Sequence, residues 1–205
     1  GLVPTAEALL RFGVDALGVA FLEEGVTLRR AGVTAPILVL GGIIGNQVPL
    51  FLAHDLTLTA SSVEKLEQIN ATASQMGTRA KVHLKIDTGM ERIGVHYYSA
   101  DQLLETALTC NYCQVEAIFS HFANSDAADL TSARTQLARF NKVLDFYHQR
   151  GLPAPQRHMA NSGAILQMPE SHLDMVHQKN ADTDFDFDTQ GIDMYIDGDW
   201  VKARG

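Results

Sequence analysis

Long apolar runs and runs of basic residues are both missing from this 205-residue sequence. No apolar stretch approaches the roughly 18 residues of a membrane-spanning helix, and no N-terminal signal pattern is visible. The formal net charge is −8 at pH 7, and an acidic chain without a basic run is a poor candidate for binding nucleic acid or anionic membranes. We therefore predict neither a nucleic-acid partner nor a membrane partner.

Cysteine is also scarce, since the sequence has only Cys110 and Cys113, in the stretch T-C-N-Y-C. A C-x-x-C pair can be a redox motif or half of a zinc site, but no second pair of ligands follows at a suitable spacing. We interpret both cysteines as small apolar residues at the start of a strand and predict no metal site. Sparse cysteine is typical of the reducing cytosol, so we expect a cytoplasmic protein.

Helix-like and strand-like segments alternate along the first 176 residues. The helical segments show apolar residues at intervals of three and four, and the strand segments are short apolar or alternating runs. Seven strand candidates lie at 15–20, 35–41, 56–61, 80–87, 114–122, 155–162 and 173–176.

Strands that alternate with helices imply parallel pairing through right-handed crossovers. No G-x-G-x-x-G motif follows an early strand, which argues against a dinucleotide-binding fold. A complete (β/α)₈ barrel usually takes about 250 residues and has eight strands. We therefore predict an α/β fold of the TIM-type (β/α)₈ class that is incomplete, with about seven of the eight strands, in a domain covering residues 1–176.

Residues 177–205 differ from the rest of the chain. They hold seven aspartates against three lysines and arginines, which is a charge of −4, half of the total. The repeated Asp-x-Asp spacing suggests calcium, but no register places glycine and glutamate where an EF-hand loop needs them. We interpret this segment as a solvated acidic tail, with 194–201 as a possible hairpin around an Asp-Gly turn or as part of a foreign junction.

The stretch K-V-H-L-K-I-D-T-G-M-E-R-I-G-V, residues 81–95, combines a strand with several charges. Alternate residues of a strand share a face, so His83, Lys85 and Asp87 point away from the helices and into the predicted barrel. Charges buried there are costly unless they are paired or hydrogen-bonded. The stretch therefore predicts either a structural ion network or a functional site, with Arg92 in the turn that follows.

The triplet Asp-Thr-Gly at 87–89 also occurs in aspartic proteases. Those proteins need two such aspartates close together and are built from β-strands. This sequence has one such triplet in a βα pattern, so we reject the protease interpretation.

Two further strands end in polar residues. His121 closes one strand in F-S-H-F-A-N-S-D, and Asn161 and Ser162 close the next in H-M-A-N-S-G. Barrel enzymes keep catalytic groups at the carboxyl ends of their strands. His121 can be structural or catalytic, and Asn161 and Ser162 can cap a helix or hold an anion.

These motifs, in this order and spacing, resemble the N-terminal barrel domain of alanine racemase, a pyridoxal-phosphate (PLP) enzyme. The resemblance runs from Gly1 to about Val176 and is carried by residues 15–42, 82–95, 116–126 and 158–166.

The resemblance implies a role for each matching position. His121 is expected beside the cofactor and in the catalytic network. Arg92 is expected to contact the catalytic tyrosine, and Lys85, often carbamylated in the family, to orient that arginine. The implied cofactor contacts are Leu40, His121, Asn161 and Ser162, the last of these to the phosphate.

The sequence also departs from the family. The first-strand motif with the lysine that binds PLP covalently is absent, and His177 stands where the family has an arginine on the pyridine nitrogen. No C-terminal β-domain is matched. The resemblance therefore implies a truncated racemase domain in which PLP is expected without a covalent bond, and in which racemisation is impaired or lost.

Two alternatives stay open at this point. The first is a hydrolase of small esters, with a serine such as Ser120, Ser125 or Ser162 activated by His121, although no G-x-S-x-G elbow is present. The second is a non-catalytic fragment that binds PLP or phosphate. Because a barrel that lacks a strand exposes two unpaired edges, we also predict a homo-oligomer or edges covered by the tail.

Overall fold

Parallel strands and helices alternate through the part of the chain that the computed structural model describes, which is residues 1–177 and the strands at 194–196 and 199–201. The remaining positions of the predicted tail, including the Asp-Gly turn and any contact of the tail with the sheet edges, lie outside the described residues. The domain boundary at 176 stays a prediction.

Seven strands precede residue 178. They are β1 (Leu17–Val19), β2 (Ile37–Val39), β3 (Leu58–Ala60), β4 (Ala80–Asp87), β5 (Val95–His96), β6 (Cys113–Phe119) and β7 (Gln156–His158). Two more, β8 (Met194–Ile196) and β9 (Asp199–Val201), pair with each other in antiparallel fashion.

The strands before residue 178 pair in parallel and form one continuous arc. β1 pairs with β2, and β3, β4, β6 and β7 follow one another in a second ladder, with β5 paired to the end of β4. Reciprocal backbone hydrogen bonds connect the two ladders, from Val39 N–H to Thr57 O at 3.0 Å and from Thr57 N–H to Ile37 O at 2.8 Å. This order confirms the prediction of an incomplete (β/α)₈-type barrel.

Seven α-helices alternate with the strands in residues 1–177. They are α1 (Leu2–Arg11), α2 (Leu22–Arg30), α3 (Val48–Ala53), α4 (Val63–Gln75), α5 (Ala100–Thr109), α6 (Thr131–Gln149) and α7 (Ser162–Gln167). Short 3₁₀ turns follow at Tyr97–Ser99 and Pro169–Ser171. No helix in the described part of the chain is long and apolar enough to cross a membrane.

The predicted elements differ from the observed ones at four places. The strand predicted at 155–162 ends at His158, and Asn161 and Ser162 begin helix α7 instead of closing the strand. The strand expected at 173–176 is only a single bridge, between Met175 and His158. Helix α3 and strand β5 were not predicted from the sequence. Both are short, and β5 is held in place by its pairing with Ile86 and Asp87 of β4.

The hydrophobic core lies between the arc of strands and the helices. Leu58, Leu84 and Ile86 from the strands and Leu66 and Leu103 from the helices are fully buried in one cluster. Each such side chain stabilises the fold by roughly 1.5–3 kcal/mol. Because these strands bury their apolar residues on the helix side, their other face is directed into the interior of the barrel.

The inner face of the arc is buried at β4 and β6 and exposed to solvent at β1. On β4 and β6 the inner residues His83, Lys85 and Phe119 are buried. On β1, Gly18 is exposed, and Leu38 on β2 is only half-buried. Among the described residues the barrel is therefore open beside β1.

The prediction that both cysteines are buried at the start of a strand holds for Cys113, whereas Cys110 caps the end of α5. Cys110 and Cys113 are both buried and free, and Cys113 is the first residue of β6. Burial raises the pKa of the Cys113 thiol to about 12, so the thiolate needed for redox chemistry is not populated near neutral pH.

Arg29 at the end of α2 ties two loops together on the side of the arc that carries β1 and β2. Its guanidinium donates hydrogen bonds of 2.7–3.0 Å to four backbone carbonyl groups, those of Val33, Ala35, His54 and Asp55. These bonds occupy carbonyls that neither ladder uses, and they fix the entries to β2 and β3.

Replacing Arg29 by methionine should lower the free energy of unfolding by about 2 kcal/mol, because hydrogen bonds to a charged donor contribute more than neutral ones. Arg30→Met, at the exposed neighbouring position, serves as the control and should change stability by less than about 0.5 kcal/mol. Urea unfolding of both variants measures the difference. Equal stability of the two variants would show that the Arg29 bonds do not hold the loops.

Candidate functional site

The inner face of β4 carries three buried polar side chains, as the alternation of the sequence predicted. His83, Lys85 and Asp87 are 7%, 5% and 4% exposed. The Lys85 ammonium lies over the ring of Phe119 on β6, 4.8 Å from its centroid. A cation over an aromatic face is stabilised by the ring quadrupole, which offsets part of the cost of burying the lysine.

Asp87 organises the turn that follows β4. Its Oδ1 accepts hydrogen bonds from the N–H groups of Gly89 at 2.8 Å and Met90 at 3.0 Å. Burial alone would raise the pKa of this carboxyl, but the N–H groups of Gly89, Glu91 and Met90 and the charge of Lys85 together lower it below its usual value. The ionised carboxylate therefore fixes the start of the turn.

The turn folds back onto Lys85 through Gly94. This glycine has φ of +116°, and a Cβ at its position would lie 2.9 Å from Lys85 Cγ. No side chain fits there, and a positive φ favours glycine. Arg92 is exposed and lies two residues before Gly94 in the same turn. The structure therefore places Arg92 on a segment that packs on Lys85. The orientation of the Arg92 side chain by Lys85 remains a prediction.

Three imidazoles form a hydrogen-bonded row across the interior. His83 Nδ1 lies 3.0 Å from His158 Nε2, and His158 Nδ1 lies 2.8 Å from His177 Nε2. The ring of Phe119 stacks on His158 with centroids 4.6 Å apart. At the end of the row, the His177 ring is 5.7 Å from that of His121, so the row connects the barrel interior to the predicted site.

The interior keeps the first two histidines neutral. Burial lowers the pKa of His83 to about 4. Burial, together with repulsion from His177, His83 and Lys85, lowers the pKa of His158 well below its usual value. A neutral imidazole has one donor and one acceptor nitrogen, so each hydrogen bond in the row fixes the tautomer of the next ring.

Asn161 and Ser162 begin α7, beside the loop that follows β6. Asn161 Oδ1 accepts from the Ala164 N–H at 3.1 Å, which makes Asn161 the helix N-cap, and it also accepts from the Ser125 hydroxyl. The Ser162 hydroxyl is buried and has no hydrogen-bond partner among the described residues. Such an unsatisfied group is costly and indicates a missing partner.

The backbone around Ser162 leaves no room for a further side chain. A Cβ at Gly163 would lie 2.9 Å from the Asp126 N–H nitrogen and 3.0 Å from Ser125 O. The loop after β6 and the start of α7 therefore touch through bare backbone. An orphaned hydroxyl at a helix start, where orphan N–H groups also gather, fits the phosphate of PLP.

The structure brings together some of the predicted residues and separates others. Lys85 contacts Phe119, and the His177 ring lies near the rings of both Phe119 and His121, so Lys85 and His121 belong to one region. Asn161 and Ser162 lie together at the start of α7. Leu40, just past the end of β2, is half-buried.

Leu40 lies against Gly18 on the open side of the barrel, because a Cβ at Gly18 would be 3.4 Å from Leu40 Cδ1. The structure thus places Leu40 on the inner face, and its contact with a cofactor stays a prediction.

Sequence reasoning assigned no role to three residues of this region. His158 and Phe119 stand at inward positions of predicted strands. The alternation of strand residues between the two faces of the sheet therefore places both side chains inside the barrel. Gln136 on α6 donates to His121 O and to the Thr88 hydroxyl. It gave no comparable signal in the sequence, since a single polar residue within a helix is ordinary.

Two of the three serines proposed for ester hydrolysis, Ser120 and Ser125, have other partners. The Ser120 hydroxyl lies 2.8 Å from that of Thr88, and the Ser125 hydroxyl bonds to Asn161. These bonds use both hydroxyls for structure.

Comparison with known proteins identifies related chains. The family model of the alanine racemase N-terminal domain matches residues 1–177. The alanine racemase of Desulfovibrio desulfuricans is 40% identical over 176 residues, covering 86% of this chain and 47% of that protein. That of Desulforamulus reducens is 42% identical over 180 residues, covering 86% of this chain and 48% of that protein.

Solved structures give the same result. Alanine racemase of Clostridium difficile 630 in complex with cycloserine superimposes with a TM-score of 0.82 at 34% identity, covering 86% of this chain and 49% of that one. Alanine racemase of Bacillus anthracis with bound L-Ala-P gives 0.78 at 30% identity, covering 85% and 45%. The chain thus spans about half the length of the curated relatives it matches.

The buried histidines predict that stability falls on acidification. Unfolded histidines take up protons below about pH 6.5, whereas folded His83 resists protonation down to about pH 4. Stability should therefore be full above pH 6.5 and decline as the pH falls toward 4, by about 3 kcal/mol for His83 alone.

Urea unfolding between pH 7 and pH 4 measures this slope. His83→Gln should flatten the slope, and His148→Gln, at an exposed position, should leave it unchanged. The same slope in wild type and His83→Gln would contradict the role of the buried imidazole.

Proposed function

The chain belongs to the family of the alanine racemase N-terminal domain, and on that premise we propose that residues 1–177 form the cofactor-facing wall of a PLP-dependent amino-acid racemase. The observation that carries this proposal is the buried, unpartnered Ser162 hydroxyl at the start of α7. The reported relatives are alanine racemases, which does not favour the ester-hydrolase alternative.

The phosphate end of PLP would be held at α7. Ser162 would donate its hydroxyl to a phosphate oxygen, and the adjoining N–H groups of the helix start would add to it. Asn161 holds this start in place, because its Oδ1 already accepts from Ala164 and Ser125. Leu40 and His121 would flank the ring of the cofactor from two different strand ends.

When bound, PLP draws electrons from the α-carbon of an amino acid and makes its α-proton acidic. This chain would position the groups around that carbon. Arg92 would contact the reacting region from the turn after β4, and His121 would belong to the proton-transfer network at the mouth. Lys85 would orient Arg92, in its carbamylated form as an anion that can pair with the guanidinium.

The same proposal implies a substrate, an oligomeric state and a cellular compartment. The substrate would be a small amino acid such as alanine. Within the described residues β1 pairs only with β2, and an unpaired edge favours association, so we propose a homo-oligomer. Two free, buried thiols fit the reducing cytoplasm.

Residues 1–205 alone should bind PLP without a covalent bond and show impaired or no racemisation, because no position matches the lysine that binds PLP in the family. Ser162→Ala should weaken the binding of PLP about tenfold, since a hydrogen bond to a charged group is lost. Pyridoxal, which has no phosphate, should bind equally to both proteins.

Fluorescence titration with PLP and pyridoxal provides the measurement, with Ser74→Ala at an exposed position as the control. Borohydride treatment followed by mass spectrometry tests for a covalent bond, and chiral chromatography tests for D-alanine formed from L-alanine. Equal PLP affinity of wild type and Ser162→Ala would contradict the phosphate site. A covalent PLP adduct and rapid D-alanine formation would contradict the expected impairment.

Carbamylation of Lys85 can be tested without PLP. Protein equilibrated with ¹³C-bicarbonate should show a carbamate carbon signal by NMR, because carbamylation converts the buried cation into an anion that can pair with the Arg92 guanidinium. The signal should vanish in Lys85→Gln and persist in Lys142→Gln, which changes an exposed lysine. A signal that survives in Lys85→Gln would assign the carbamate elsewhere.

A further inference from the structure

Gln136 on α6 is a buried polar side chain that touches both loops of the site. It is 2% exposed. Its Oε1 accepts from the Ala123 N–H at 3.0 Å, and its Nε2 donates to the Thr88 hydroxyl at 3.3 Å and to His121 O at 3.2 Å. Both ends of the amide are therefore used.

These bonds join two segments that are distant along the chain. Thr88 follows Asp87 at the carboxyl end of β4, and His121 to Ala123 follow β6. The Thr88 hydroxyl accepts from Gln136, so it can donate its own proton to the Ser120 hydroxyl 2.8 Å away. Gln136 therefore reaches the segment around His121 in two ways, directly at the His121 carbonyl and through Thr88 at the Ser120 hydroxyl.

Arg139 supports the same loop one turn further along α6. Its Nη1 donates to Thr88 O at 2.9 Å, and its guanidinium lies 4.7 Å from the centroid of the Tyr97 ring. Residues three apart share a helix face, so Gln136 and Arg139 form one polar strip. Gly89 has φ of +136°, a conformation that favours glycine, and a Cβ there would lie 2.9 Å from Arg139 Nη1.

Packing alone does not require a glutamine at this place. The other buried residues of α6 are mostly apolar, including Ala133, Leu137, Phe140 and Val143. Burying an amide is costly unless its hydrogen bonds are made. The buried glutamine is therefore best explained by its hydrogen bonds to the loops after β4 and β6.

We propose that Gln136 is a positioning residue, which fixes the backbone of His121 and the turn from Asp87 to Arg92 relative to each other. This inference deepens the proposed function and rests on it for the role of His121. The hydrogen bonds of the Gln136 side chain are made to residues of the two loops, so it acts through them.

The test compares variants that differ in one hydrogen-bonding group. Gln136→Met keeps the length of the side chain and removes its polar atoms. Thr88→Val removes the hydroxyl, and Thr88→Ser restores it. Asn141→Leu introduces an apolar residue at an exposed position of the same helix and serves as the control.

The first readout is the set of ring ¹H and ¹⁵N resonances of His121 in protein without PLP. Gln136→Met and Thr88→Val should displace these resonances by more than a linewidth, whereas Thr88→Ser and Asn141→Leu should leave them at the wild-type position. Unchanged His121 resonances in a folded Gln136→Met protein would overturn the proposal. Should Gln136→Met not fold, Thr88→Val decides in the same way.

The second readout is the affinity for PLP, which should fall about tenfold in Gln136→Met and stay unchanged in Asn141→Leu. The two proposals fail differently. A wild-type protein that does not bind PLP would refute the proposed function, while the His121 resonances would still decide whether Gln136 positions the loop.

Discussion

Lys85 and Asp87 are buried on the inner face of β4, and the arrangement of the mouth follows from the need to compensate their charges. Asp87 is compensated by the N–H groups of the turn that follows it, so the turn must fold tightly. Lys85 is compensated by the face of Phe119 and covered by Gly94. The strand thereby fixes the segment that carries Arg92.

The neighbouring strands continue this inner layer with neutral polar groups. The imidazoles of His83, His158 and His177 satisfy each other in series, which lets three polar rings share the interior with Lys85. Because His83 and His158 stay neutral there, these two rings add no charge to a layer that already holds a cation. Its last ring reaches His121, where the site begins.

The outer helices contribute to the site as well as to the core. Most of the buried face of α6 packs apolar residues, yet Gln136 and Arg139 reach the loops after β4 and β6. At α7, Asn161 does the same for the helix start that presents Ser162. Each polar cluster at a strand end is thus held by a second element.

The sequence alone predicts most of the alternation of strands and helices, the inward face of His83, Lys85 and Asp87, and the family. These features follow from local periods of two and 3.6 residues and from contiguous motifs. It failed at α3 and β5, which are too short to show a period, and at 173–176, where pairing reduces the strand to one bridge.

Long-range packing sets which side chains meet. The row of His83 and His158 depends on the lateral order of β4, β6 and β7 and on their register, which no local pattern encodes. The role of Gln136 and the orphaned hydroxyl of Ser162 depend likewise on contacts between segments far apart in the chain. Periodicity specifies the direction of a side chain, whereas its partner is set by long-range packing.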